Sequence, residues 1–250
     1  MKGFVGALTG VALLIGSAFA GEPECDVPEY LLAGDGELSH VAAAATKQHV
    51  VSIVVLGTGS SLLAGPAGTD LAYPARLAAL LREVLPKVEI KVVTHAQPRQ
   101  TAADMFKGIE GVVAQDKPDL VIWQTGTFDA IRGVDPDEFR GVLDEGVETL
   151  QNAGADVILM NMQYSPRTES VMALDVYNDN MRWVARERGV LLFDRLAIMK
   201  YWSDAGVFDL HAATKGPVMA QRVHDCIGHA LTSVVVAAAH LKPQDEKAPH

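Results

Sequence analysis

Runs of apolar residues alternate along this chain with amphipathic stretches. Val50 to Leu56 (VVSIVVL) is a β-branched run whose unbroken hydrophobicity fits a strand covered on both faces. Ala72 to Leu85 follows, with Leu77, Leu80, Leu81 and Val84 at helical spacing. Val88 to Val93 predicts a second strand, Ala102 to Ala114 a second helix, and Leu120 to Gln124 (LVIWQ) a third strand. Asp135-Pro136-Asp137 opens a third helix running to Asn152, with acidic residues at its positive end. Ala155 to Asn161 predicts the fourth strand, and a helix through Asn178 to Arg188 leads to a short fifth strand, Val190 to Phe193. A last helix is predicted from Gly216 to Leu241.

Strands that alternate with helices need crossover connections and so form a parallel sheet with helices packed on it. The expected fold class is α/β: a three-layer α/β/α sandwich around a five-stranded parallel sheet. Ligands in such folds bind outside the carboxyl ends of the strands, which is where chemistry should be sought. The expected division is a signal peptide over 1–20, an N-terminal extension over 21–49, one domain over 50–241 and a polar tail over 242–250. Lys2, the apolar run Phe4 to Ile15 and the small-x-small site Ala18-Phe19-Ala20 are the marks of a secretory signal. That run is short of the roughly 20 residues of a membrane span. The mature chain is therefore expected to begin at Gly21, to be periplasmic or secreted, and to have no membrane span once the signal is cleaved.

Charge removes several function classes. The formal net charge is −10, one unit more negative without Lys2, and no basic run interrupts it. Such a surface repels nucleic acid and anionic membranes. The two cysteines, Cys25 and Cys226, suggest one disulfide in an oxidising compartment. They lack CxxC spacing, and the eight histidines include no HExxH, so no metal is expected.

The first strand ends in Gly57-Thr58-Gly59-Ser60-Ser61-Leu62-Leu63-Ala64-Gly65. A P-loop needs a lysine that is missing here, a dinucleotide fingerprint needs glycine where Leu62 stands, and GxSxG is not formed. No cofactor is expected on these grounds. What remains is a serine turn.

Gly59-Ser60-Ser61-Leu62-Leu63-Ala64-Gly65 resembles the GDSLTxG block of SGNH/GDSL hydrolases, which carries their nucleophile. The likeness continues in order through Tyr73-Pro74-Ala75-Arg76-Leu77, Trp123-Gln124-Thr125-Gly126-Thr127 and Asp209-Leu210-His211. It implies a flavodoxin-like SGNH fold and an exported serine esterase with Ser61 as nucleophile, His211 as base and Asp209 as its carboxylate. Small acyl esters or acetylated carbohydrates would be the substrates. A second register begins the block at Gly57 and puts Gly59 at the serine position, but the spacing to Gly65 favours the first.

Three positions depart from the family pattern. Arg99 stands where an oxyanion-hole glycine is expected, either keeping its backbone N–H in place or acting as an anion clamp. Phe128 replaces the oxyanion asparagine and has no donor to offer. Phe208 occupies the usual aspartate position, and Asp209 lies one residue nearer His211. The backbone N–H groups of Ser61 and Arg99 would then form the oxyanion hole. In the competing reading Phe128 and Phe208 pack against each other and block the pocket of a binding or scaffold protein. In that reading Asp129 and Asp209 are surface charges or caps, and Trp123 and Met160 are core.

Overall fold

The computed structural model describes residues 25–65, 67–170, 172–211 and 217–242. The expected signal peptide and the end of the polar tail lie outside these residues. Five strands form one sheet: β1 (Val50–Gly57), β2 (Glu89–Ala96), β3 (Leu120–Gln124), β4 (Asp156–Met160) and β5 (Leu191–Phe193). Their order is β2-β1-β3-β4-β5 and every pairing is parallel. Val54 of β1 lies opposite Val93 of β2 and Val121 of β3.

Alternate side chains of a strand point to opposite faces, so each apolar run feeds two cores. Val51, Ile53 and Val55 join Leu120, Ile122, Ile158 and Met160 on one face, and Val54 and Leu56 join Val121, Trp123, Val157 and Leu159 on the other. The first face is covered by α1 (Glu29–Leu32), α2 (Ser39–Ala43), α3 (Gly68–Leu71) and α4 (Tyr73–Val84), together with α11 (Arg195–Asp204) and α12 (Val218–Ala238). The second is covered by α5 (Ala102–Phe106), α6 (Ile109–Asp116), α7 (Thr127–Arg132), α8 (Pro136–Asn152) and α10 (Leu174–Arg188). The short α9 (Pro166–Glu169) lies in the connection after β4. This is the expected three-layer sandwich.

The helices differ from expectation at three places. The single helix over 102–114 is two, α5 and α6, because Gly108 follows the last turn at Lys107 and glycine favours a break. Six further helices, the short α1, α2, α3, α7 and α9 and the longer α11, were not read from the pattern. Asp194 caps α11 by accepting from the Ala197 N–H. The last described helix begins at Val218, Gly216 lying outside the described residues, and it ends at Ala238, three residues before the predicted Leu241.

The N-terminal extension is part of the core. Leu38, Val41, Ala44 and Ala45 are buried in it, and the Val41 N–H donates to Asp156 Oδ2 at 2.9 Å. Trp202 Nε1 donates to the Asp26 carbonyl at 3.0 Å. Cys25 and Cys226 form the expected disulfide, with Cα atoms 4.8 Å apart. No described helix is long and apolar enough to cross a membrane.

Candidate functional site

The order in which strands are added to the sheet reverses between β1 and β3, and ligands of such folds bind beside that point. The serine turn sits there as a short 3₁₀ turn, Gly59–Ser61. The Ser61 N–H closes the turn by donating to the Thr58 carbonyl at 2.9 Å, so it is already engaged and is no free oxyanion donor.

The Ser61 side chain is fully buried and folds back over the end of β1. A Cβ at Gly57 would lie 2.0 Å from Ser61 Oγ, which is why only glycine fits there. The Ser61 hydroxyl donates to Gln124 Oε1 and lies 3.0 Å from the Tyr73 hydroxyl. Since the serine proton is committed to the amide, Tyr73 is the donor to Ser61 Oγ. Burial pushes the Tyr73 pKa up, which keeps it protonated for that role. Gln124 Nε2 in turn donates to Thr58 Oγ1 at 3.3 Å.

An amide oxygen is no base at neutral pH, so neither hydrogen-bond partner of the Ser61 hydroxyl, Tyr73 or Gln124, is a general base for it. Ser61→Ala strands two buried polar groups, and each unpaired group costs about 1–3 kcal/mol. The expected loss of unfolding free energy is about 2–4 kcal/mol, against at most about 0.5 kcal/mol for the more exposed Ser60→Ala. Urea denaturation of both variants checks this, and equal midpoints would mean Ser61 is not locked in the described network.

Ser60 is the half-exposed hydroxyl of the turn, with its Oγ 3.4 Å from Thr58 Oγ1. Its carbonyl accepts from Arg195 Nη1 at 3.2 Å. Arg195 is completely buried, with its guanidinium 5.6 Å from the Tyr73 ring centroid. Beside it His224 is also buried, and its Nδ1 accepts the Tyr73 N–H at 3.0 Å. Burial, and then the positive charge of Arg195, lower the His224 pKa to about 3. Its ring is neutral at physiological pH.

The other residues picked out in the sequence fall as follows. Arg99 is exposed with φ 68°, the left-handed conformation that a glycine adopts freely, so the turn shape of the family position is kept. Asp129 is buried rather than on the surface, where it accepts from the Ala102 and Gly126 N–H groups at 2.9 and 3.2 Å and from Thr125 Oγ1. It thereby ties the loop after β3 to the start of α5 and fixes the segment that carries Arg99. Phe128 is half-buried under the Arg132 guanidinium, 4.8 Å from its ring centroid. Phe208 packs edge-on against Trp202 at 5.5 Å and lies under Arg222. Each phenylalanine has its own partners, so the shared plug expected from the sequence is replaced by two separate packings. Trp123 and Met160 are core, as expected.

Asp209 and His211 are exposed at the start of the loop before α12. Asp209 Oδ1 accepts the His211 backbone N–H at 3.1 Å, which orders this loop. Ser61, by contrast, is sealed below the surface by Tyr73 and Gln124. The sequence passed over Tyr73, Gln124, Arg195 and His224 as site residues. The available signal was polar side chains, Gln124 and Arg195, standing directly at the ends of two apolar strands. Among the described residues no three His, Cys, Asp or Glu side chains gather as a metal site.

A profile of the Non-GDSL lipase-like family matches residues 24–241. No curated protein sequence matches the chain significantly. Solved structures do resemble it. TesA is 19% identical with a TM-score of 0.57, covering 73% of this chain and 98% of its own. LAE5, an alpha/beta hydrolase enzyme from the metagenome of Lake Arreo, is 23% identical with a TM-score of 0.57, covering 77% and 97%. A catalytic mutant of Axe2, an acetylxylan esterase from Geobacillus stearothermophilus, is 21% identical with a TM-score of 0.58, covering 78% and 96%. With a family profile spanning nearly all of the described residues and the β2-β1-β3-β4-β5 sandwich beneath it, the chain belongs to the Non-GDSL lipase-like family.

Proposed function

We propose that this protein is an exported ester hydrolase that uses the serine turn after β1, with Ser60 as nucleophile and His211 as base. The observation that carries the choice of serine is accessibility. Ser60 is the hydroxyl of the turn that solvent reaches, whereas Ser61 is held below it. Ser60 Oγ attacks the ester carbonyl carbon, its proton passes to the His211 imidazole, and that proton then leaves with the departing alcohol. Water, deprotonated by the same imidazole, cleaves the acyl-serine to release the acid and restore Ser60. The Arg99 N–H is the oxyanion donor in this scheme. With phenylalanine at position 128 a second donor is lost, and such a loss typically costs about 2.7–4 kcal/mol, or 10²–10³ in rate. Acetylated carbohydrates and short acyl esters are the proposed substrates, in line with the acetylxylan esterase among the similar structures. Export is supported by the disulfide, which persists in oxidising compartments.

A second reading, binding without turnover, is favoured by the locked Ser61 and by Phe128. Fluorophosphonate labelling of the purified mature protein, with the adduct mapped by mass spectrometry, separates the two. A stoichiometric adduct on Ser60 that disappears in His211→Ala is the expected result. An adduct on Ser61 would move the nucleophile back to the family register and require the Tyr73–Gln124 lock to open. No adduct on folded protein would overturn the hydrolase mechanism in favour of binding.

A further inference from the structure

Arg195 is fully buried at the first position of α11, and among the described residues no carboxylate pairs with it. The adjacent Asp194 is engaged elsewhere, with Arg182 at 2.7 Å. The two polar contacts of Arg195 go to uncharged oxygens, the Ser60 carbonyl at 3.2 Å and Gln163 Oε1 at 3.4 Å, and its Nε has no partner. The groups packed beside it are uncharged too. Its guanidinium lies 5.6 Å from the Tyr73 ring centroid, burial keeps that phenol protonated, and the His224 ring is neutral. Burial pulls the Arg195 pKa down to about 10, which still leaves it positive at neutral pH.

Taking a cation out of water with no anion to receive it is costly, and packing alone would be served as well by an apolar side chain of similar length. The exception is a place where the anion exists only during a reaction. The serine turn is such a place. When Ser60 Oγ attacks an ester, negative charge develops on the carbonyl oxygen beside it, and Arg195 grips the main-chain oxygen of that same residue. A fixed charge one residue away, in a medium of low dielectric and uncancelled in the resting protein, favours the transition state over the bound ester. Phe128 leaves the site short of one neutral donor, and a buried cation serves the same end by a different route.

We infer that Arg195 is a positioning residue for the proposed acyl transfer: it fixes the outward serine through the Ser60 carbonyl, and its standing charge behind the turn offsets the oxyanion donor missing at position 128. The inference rests on Ser60 being the nucleophile. Arg195 itself, sealed inside, touches neither ester nor water.

The test is the rate at which a fluorophosphonate labels Ser60 in the full mature protein, measured over a range of probe concentrations. Ser60 Oγ bonds to phosphorus, fluoride leaves and the serine proton passes to His211, so negative charge develops on the phosphoryl oxygen as it does on an ester. Arg195→Met keeps the length and removes the charge. It should slow labelling at saturating probe by about 10–100-fold, with the half-saturating concentration unchanged. Its urea midpoint should be no lower than that of the wild type, because a buried unpaired charge has gone. Arg195→Lys keeps the charge and should recover about a third or more of the wild-type rate. Labelling of Arg195→Met at the wild-type rate would overturn the inference, as would an Arg195→Lys variant as slow as Arg195→Met. A rate lost in step with the urea midpoint, outright failure to fold included, would also overturn it and leave Arg195 a structural residue only. If the wild type takes no label, the hydrolase reading falls and this inference falls with it, whereas a labelled wild type and an indifferent variant remove this inference alone.

Discussion

Replacing Cys25 and Cys226 together with alanine lowers the unfolding free energy by about 5 kcal/mol. The bridge joins positions 201 residues apart, so it closes nearly the whole described chain into one loop. In the chain-entropy model a closed loop of that length places the stabilisation at the top of the usual range, about 5 kcal/mol, because the cross-link restricts the unfolded ensemble. Domains of this size are stable by only about 5–15 kcal/mol in total, so the variant should be marginal at about 37 °C. Urea unfolding of the oxidised protein against the double variant measures this. A difference under about 1 kcal/mol would mean that the unfolded chain is already compact enough for the link to remove little freedom.

Acid destabilises the protein through His224, and the sign follows from the direction in which its pKa moves. Folded, the ring titrates at about 3 rather than the ordinary 6.5, so between these values the unfolded chain binds a proton that the folded chain refuses. Stability is therefore lost as pH falls through 6.5 and the loss levels off below 3. Between about pH 6 and pH 4 this one group contributes a loss of about 2–3 kcal/mol, since each tenfold difference in proton affinity between the two states is worth about 1.4 kcal/mol. Urea unfolding across that range in the wild type and in His224→Gln isolates the contribution from that of the carboxylates. The variant should show a curve flatter by about 2–3 kcal/mol. Parallel curves would mean that the imidazole is not held neutral inside.

The central strands were legible because burial on both faces leaves an unbroken apolar run, as in β1, β3 and β4, while the partly exposed edge strand β2 and the three-residue β5 were read from shorter apolar patterns. Helices α7 and α11 escaped because their starts are set by local capping, from Asp129 and Asp194, rather than by a long apolar period. The site was legible in part. The motif order pointed to the serine turn, the loop after β3 and the loop before α12, which lie at the carboxyl ends of β1 and β3 and ahead of α12. It left unread which serine faces outward, since that depends on Ser61 folding over Gly57, a contact that spacing does not encode. Arg195, two residues beyond the end of β5, was passed over although a polar side chain there was a signal, whereas His224 is far from the turn in sequence and reaches it only through the packing of α12, so no local pattern announces it. Asp129 was read as a surface charge or cap; it does cap α7 by accepting the Gly126 N–H, but it is buried, and backbone N–H groups from two segments compensate that burial.

The N-terminal extension makes its ties with segments that come much later: Val41 with Asp156, Asp26 with Trp202, Cys25 with Cys226, and Leu38 with the Ala238 carbonyl. During synthesis these first residues emerge long before any of their partners exist. Val41 can pair once Asp156 has been made, but Cys25 and Leu38 have no partner until the last helix exists. Cys25 spends that interval as an open thiol available to whatever oxidant or wrong cysteine it meets.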